Sequence, residues 1–181
     1  MQTIKLLSIA VILMVGVPCL AQAQPPEELI YIAVEPCRIA DTRKSTLGPL
    51  SANRARNFRV AGSASELMAQ GGTSDCQSPK QGVAPVAISA YVIAVPAATS
   101  TGAGVLTAFP SDQDTPPRGA GSTVNFDAGQ TIGNTTNATI CASENNCPSD
   151  GALAILARNT DQNVVIDVQG YYYPADENSS C

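Results

Sequence analysis

The chain contains no histidine, and that absence limits what its other residues can do chemically. A Ser-His-Asp or Cys-His nucleophilic site needs an imidazole, and so does a histidine-bound zinc hydrolase. Beyond the first residues the lysines are Lys44 and Lys80. Neither lies in an S-x-x-K arrangement, and both have turn-like neighbours, as ordinary surface lysines do. Asp41 and Asp167 each sit inside an apolar, strand-like run, and a glycosidase uses two carboxyl groups held about 5–10 Å apart. The structural alternative is that these acids are buried and held by Arg38, Arg43 or Arg59, because a carboxylate removed from water requires a partner. Strand alternation places Asp41 on one side with Ile39 and Arg43, opposite Ala40 and Thr42.

Other constellations are weaker. Asp41-Thr42-Arg43 lacks the glycine of an aspartic-protease Asp-Thr-Gly element, and no second such element occurs. Asp112 and Asp114 stand in a Pro-rich loop and offer oxygens to calcium, but the remaining ligands and the glycine of a calcium loop are missing. Gly102-Ala103-Gly104 does not link a strand to a helix, as a phosphate cradle would. Nothing in the pattern calls for a cofactor or a metal. Tyr171 and Tyr173 share one face of a strand and Tyr172 takes the other. Tyr171 and Tyr173 are the candidates for stacking on a sugar, and large rings closing a β-sandwich explain them equally well.

The ends of the chain indicate export. Lys5 precedes an apolar run from Leu6 to Val17, and Ala21-Gln22-Ala23 offers the small residues of a signal-peptidase site, so residues 1–23 read as a signal peptide. The run is short for a membrane anchor, which needs ~20 apolar residues, and Pro18 is a poor neighbour for lipidation of Cys19. The expected product is one β domain over residues 24–174 with a tail at 175–181. It is expected to be secreted, extracellular or surface-associated, or periplasmic, with no transmembrane segment. Without Lys5, nine basic residues face fifteen acidic ones, which argues against nucleic acid as a partner. Disulfides suit such a compartment. Cys37 is expected to pair with Cys76, which begins the approach to a central strand, and Cys141 with Cys147 across a short loop. Cys181 is left over, free or joining two copies.

The elements that must position these residues are strands. Leu29 to Val34, Cys37 to Arg43, Asn57 to Ala61, Gly104 to Phe109, Thr123 to Phe126 and Ala152 to Ala157 are short β-type runs separated by Gly, Pro and Asn. Ala87 to Val95 is apolar on both faces, the pattern of a central strand. Ile88, Ala90, Val92 and Ala94 are expected on one covered face, and Tyr91, Ile93 and Val95 on the other. The run ALAILAR, the turn residues 159–163 and VVIDVQGYYY read as a hairpin. Ala64 to Gln70 is the one helical candidate, capped by Ser63 and stopped by Gly71-Gly72. The fold class is therefore all-β, an antiparallel sandwich or barrel-like domain with at most one short helix.

Two stretches resemble a β-rich domain of secreted and surface proteins from actinobacteria, acidobacteria and related bacteria. The opening signature is Pro36-Cys37-Arg38-Ile39-Ala40-Asp41-Thr42-Arg43, and the closing one is Val165-Ile166-Asp167-Val168-Gln169-Gly170-Tyr171-Tyr172. Between them lie Gly104 to Pro110, Ser122 to Phe126 and Gly129-Gln130-Thr131, so the similarity spans most of the chain after the signal. The region from Cys141 to Cys147 departs from the pattern. The resemblance implies a non-enzymatic binding or structural module, with wall or surface glycan as the favoured ligand. The alternatives are a subunit of a surface assembly that pairs through strand edges and a glycosidase using Asp41 and Asp167.

Overall fold

A computed structural model describes residues 28–142, 147–149 and 151–175. The signal region, the Cys141–Cys147 loop interior and Cys181 lie outside the described residues. The elements are β1 (Leu29–Asp41), β2 (Arg54–Phe58), α1 (Ala64–Met68), β3 (Ala87–Pro96), β4 (Gly104–Pro110), β5 (Val124–Phe126), β6 (Ile132–Thr139), β7 (Leu153–Arg158) and β8 (Gln162–Pro174). Two four-stranded antiparallel sheets form, in the orders β1-β8-β3-β6 and β2-β7-β4-β5. This is the all-β sandwich that the sequence pattern indicates.

The core lies between the sheets. Ile88, Val92, Ile166 and Val168 from the first sheet are buried in one cluster with Phe58, Leu106, Leu153 and Ile155 from the second. With no tryptophan in the chain, branched aliphatic residues supply most of this packing. The short helix begins in a capping box, with the Ser63 hydroxyl accepting from the Glu66 N–H and the Glu66 carboxylate accepting from the Ser63 N–H. It ends where Gly71 takes a φ of 85°, a conformation that favours glycine.

Three expectations need correction. The two runs around Pro36 are one strand, β1, which kinks where the register slips between Ala33 and Cys37. The residues of β7 and β8 do not form a hairpin, because β7 pairs with β2 and β4 while β8 pairs with β1 and β3. Each strand has its own apolar stripe, and the chain arches over so that the stripes meet across the core instead of lying side by side. Strand β6 was not expected at all. Its Asn and Thr residues suit an edge position with one wet face, which carries no apolar run.

Strand β3 is central, but its two faces differ. Ile88, Ala90, Val92 and Ala94 are buried in the core, whereas Tyr91, Ile93 and Val95 are only half-buried on the outer face. The second face is therefore not covered. Val92→Ala should cost ~2–3 kcal/mol in chemical denaturation, and Ile93→Ala should cost less although it removes more atoms, because Ile93 already meets water. An equal or larger loss at Ile93 would mean that a second layer covers the outer face.

Candidate functional site

The opening and closing sequence signatures lie side by side on adjacent strands, since β1 pairs antiparallel with β8. The register shifts again between Arg38 and Ala40, so that Arg38 stands opposite Asp167 and Asp41 opposite Val165. This bulge turns both Ile39 and Ala40 into the core and leaves Arg38 and Asp41 together on the outer face. Simple alternation therefore placed Asp41 on the wrong side of the strand, with Ile39.

Each carboxylate has its own guanidinium. Arg38 donates from Nε and Nη2 to the two oxygens of Asp167, at 2.8 and 2.9 Å. Arg43 donates from Nε and Nη2 to the two oxygens of Asp41, at 2.8 and 2.7 Å. The Asp41 side chain is 0% exposed, while Arg43, which lies over it, is 47% exposed. Hydrogen bonds from Arg43 hold the Asp41 carboxyl below the usual carboxylate range, outweighing the opposite push of burial. Arg59 is not a partner of either acid; its Nη2 donates to the Ser149 carbonyl.

The residues between and behind these pairs extend the latch. The Thr42 hydroxyl accepts from the Val164 N–H at 2.9 Å and donates to Asn163 Oδ1 at 3.0 Å. Behind Asp41, its N–H donates to the Gln70 carbonyl at 3.0 Å, and Gln70 Nε2 donates to the Ile39 carbonyl at 2.8 Å. Gly71 presses so closely that a β-carbon there would sit 2.0 Å from the Asp41 carbonyl oxygen. The disulfide between Cys37 and Cys76, with Cα atoms 5.8 Å apart, closes this loop onto β1. The second disulfide joins Cys141 and Cys147. Both expected pairings are present.

Tyr171 and Tyr173 are 1% and 0% exposed, so neither can present a ring to a sugar. Tyr171 donates to the Val60 carbonyl at 2.8 Å, and burial pushes its hydroxyl up to about 12. Tyr173 hydrogen-bonds Ser78. The alternation of the three tyrosines is as expected, but the face is reversed. The outward rings are Tyr172, Tyr31 and Tyr91. Tyr31 is 45% exposed, and its ring centroid lies 4.9 Å from that of Tyr172 at an interplanar angle of 41°. The Tyr31 ring rests on Gly170, where a β-carbon would meet it at 2.4 Å, and the Tyr91 ring rests on Gly133, where a β-carbon would meet it at 2.6 Å. The Tyr31 hydroxyl donates to the Gln169 carbonyl at 3.2 Å, which keeps the ring folded across β8. In sequence, the signal for this surface is a tyrosine at strand parity opposite to the core, with a glycine on the neighbouring strand.

Asp112 and Asp114 are exposed in the loop after β4, and among the described residues no three metal-binding side chains come together. No helix of the described residues is long and apolar enough to cross a membrane. The fold and this surface define a class: a disulfide-bonded two-sheet β-sandwich whose first and last strands are latched by two arginine–carboxylate pairs beside exposed tyrosines. No protein-family model matches the chain, and neither the curated proteins nor the solved structures give a significant match.

Proposed function

We propose that this protein is a non-enzymatic, exported module that binds a wall or surface glycan on the outer face of the sheet β1-β8-β3-β6. The observation that carries the reading is the pair of tyrosines laid over glycines, Tyr31 on Gly170 and Tyr91 on Gly133. A ring braced from beneath by backbone is fixed in place at little entropic cost and keeps its other face for a ligand. The C–H groups on one face of a pyranose carry partial positive charge and complement the negative face of the ring. Between the tyrosines, the Arg38–Asp167 pair offers donors and acceptors to hydroxyl groups. The resemblance to secreted surface domains and the two disulfides favour an exported location.

The glycosidase reading is the weaker one. Diagonal neighbours on adjacent strands lie about 7–8 Å apart, so spacing alone permits an Asp41–Asp167 pair. A general acid must, however, hold a proton near neutral pH, and Asp41 is shifted the other way and lies under Arg43. The nucleophile's place is likewise taken by a guanidinium.

Binding to immobilised peptidoglycan fragments and neutral polysaccharides tests the proposal. Tyr31→Ala and Tyr91→Ala should each weaken binding by about tenfold, the worth of one good aromatic contact. Tyr171→Phe should lower stability through its lost buried hydrogen bond and leave binding intact. Absence of binding across the panel, or equal binding by both alanine variants, would overturn the reading, and sugar turnover by the wild type would replace it with the enzyme.

A further inference from the structure

From the geometry of β1 we infer that its free edge pairs with the same edge of a second copy, antiparallel, about a two-fold axis at Tyr31. This inference rests on the strand edge alone and is independent of the glycan reading. It starts from the direction of the backbone groups. The Ala175 N–H donates to the Glu28 carbonyl at 2.8 Å, so Glu28, Ile30 and Ile32 turn their N–H and C=O groups towards β8. Leu29, Tyr31 and Ala33 must then turn theirs away, to the open side. Two further facts agree with this phase. Leu29 stands opposite Pro174, which has no N–H to give, and the Tyr172 carbonyl, opposite Tyr31, is taken by the Val86 N–H on the far side of β8.

The rest of the β1 edge is already covered. Ala40 bridges to Gly71, the Asp41 N–H and Ile39 carbonyl are bonded to Gln70, and Cys37 is bonded to Cys76. Residues 29–34 have no described neighbour on that side, and Leu29, Ile30 and Tyr31 are exposed. The run Leu-Ile-Tyr-Ile-Ala-Val holds no charge and no proline, so it lacks the usual protections of an edge strand. The Tyr31 ring is folded back across β8 and does not block its own edge.

A second copy fits this edge by its own symmetry. Residues opposite each other in an antiparallel pair point to the same face. A two-fold axis at Tyr31 sets Tyr31 against Tyr31 and Leu29 against the second copy's Ala33, and all of these residues have outward N–H and C=O groups. The same axis sets Glu28 opposite Val34, so no two carboxylates meet. Outer faces of the two sheets then lie on one side, joining into a continuous sheet.

Sedimentation of the exported chain as a Cys181→Ser variant, from micromolar to millimolar concentration, should show a reversible monomer–dimer equilibrium. Ala33→Pro removes only an outward N–H and should weaken association about ten- to a hundredfold. If that variant fails to fold, the charge variants decide. Leu29→Lys with Ala33→Lys places like charges opposite each other and should give a monomer, whereas Leu29→Glu with Ala33→Lys places opposite charges together and should restore the dimer. A chain that stays monomeric throughout overturns the inference, as does a dimer that treats the two charge variants alike.

Discussion

Replacing Cys37 and Cys76 together by alanine should cost about 4 kcal/mol of stability, the loop-closure entropy of a sequence separation of 39. Alanine is the right replacement because Cys76 is buried, and serine would add an unpaired hydroxyl. The native side of the argument raises the cost further. The bridge holds the loop that carries Gln70 and Gly71, and these brace the backbone of β1 at Ile39 and Asp41. Without it, that loop can open before the rest of the sandwich, loosening the Asp41 latch. The Cys141–Cys147 bridge spans a separation of only 6, for which the same relation gives about 2 kcal/mol. Guanidinium denaturation of the two double-alanine variants measures both. A Cys37/Cys76 variant that loses no more than the Cys141/Cys147 variant would mean that the 62–76 loop is held by its hydrogen bonds and not by the bridge.

The sequence made the strands legible because apolar residues recur where one or both faces are covered. Ala87 to Val95 shows this, and the observed β3 runs from Ala87 to Pro96. What local pattern cannot carry is which strand lies next to which. The stripes of β7 and β8 suit a hairpin as well as an arch, and only the competition with β1, β3, β2 and β4 for edges decides between them. Parity was legible in the same partial way. Three consecutive tyrosines must alternate, but nothing within them says which side meets the core. The face of Asp41 was lost to a bulge, because one extra residue between Arg38 and Ala40 reverses every later assignment on the strand. The two disulfides were legible because their cysteines flank segments that must return to a strand already located. The edge strand β6 gave no signal, since its alternating Thr and Asn residues look like a loop when read without a neighbour.

Arg43→Ala should destabilise the protein more than Asp41→Asn, and this asymmetry is a direct consequence of burial. The Asp41 side chain is 0% exposed, and its partner is 47% exposed. Removing Arg43 strands a carboxylate beneath the loop, and breaking a buried pair from the side that leaves the charge inside costs ~3–5 kcal/mol. Solvent around Arg43 screens the pair, so the lower end of that range, about 3 kcal/mol, is expected. Removing the charge of Asp41 lets Arg43 return to water, and the loss is that of charge-assisted hydrogen bonds, about 1.5–3 kcal/mol. The double variant should lose less than the two single losses together, because the second change removes what the first left unpaired. The pH dependence follows from the depressed pKa of Asp41. Its contribution is fully present above the unfolded carboxylate value of about 3.9 and is lost as pH falls through the lower folded value, since the unfolded chain takes up the proton first. Asp41→Asn should therefore flatten the acid limb of the stability curve below about pH 4 while leaving glycan binding by the folded protein unchanged. If Asp41→Asn proved fully stable and had lost a measurable sugar-cleaving activity, Asp41 would be a catalytic acid and the latch an incidental feature of its environment.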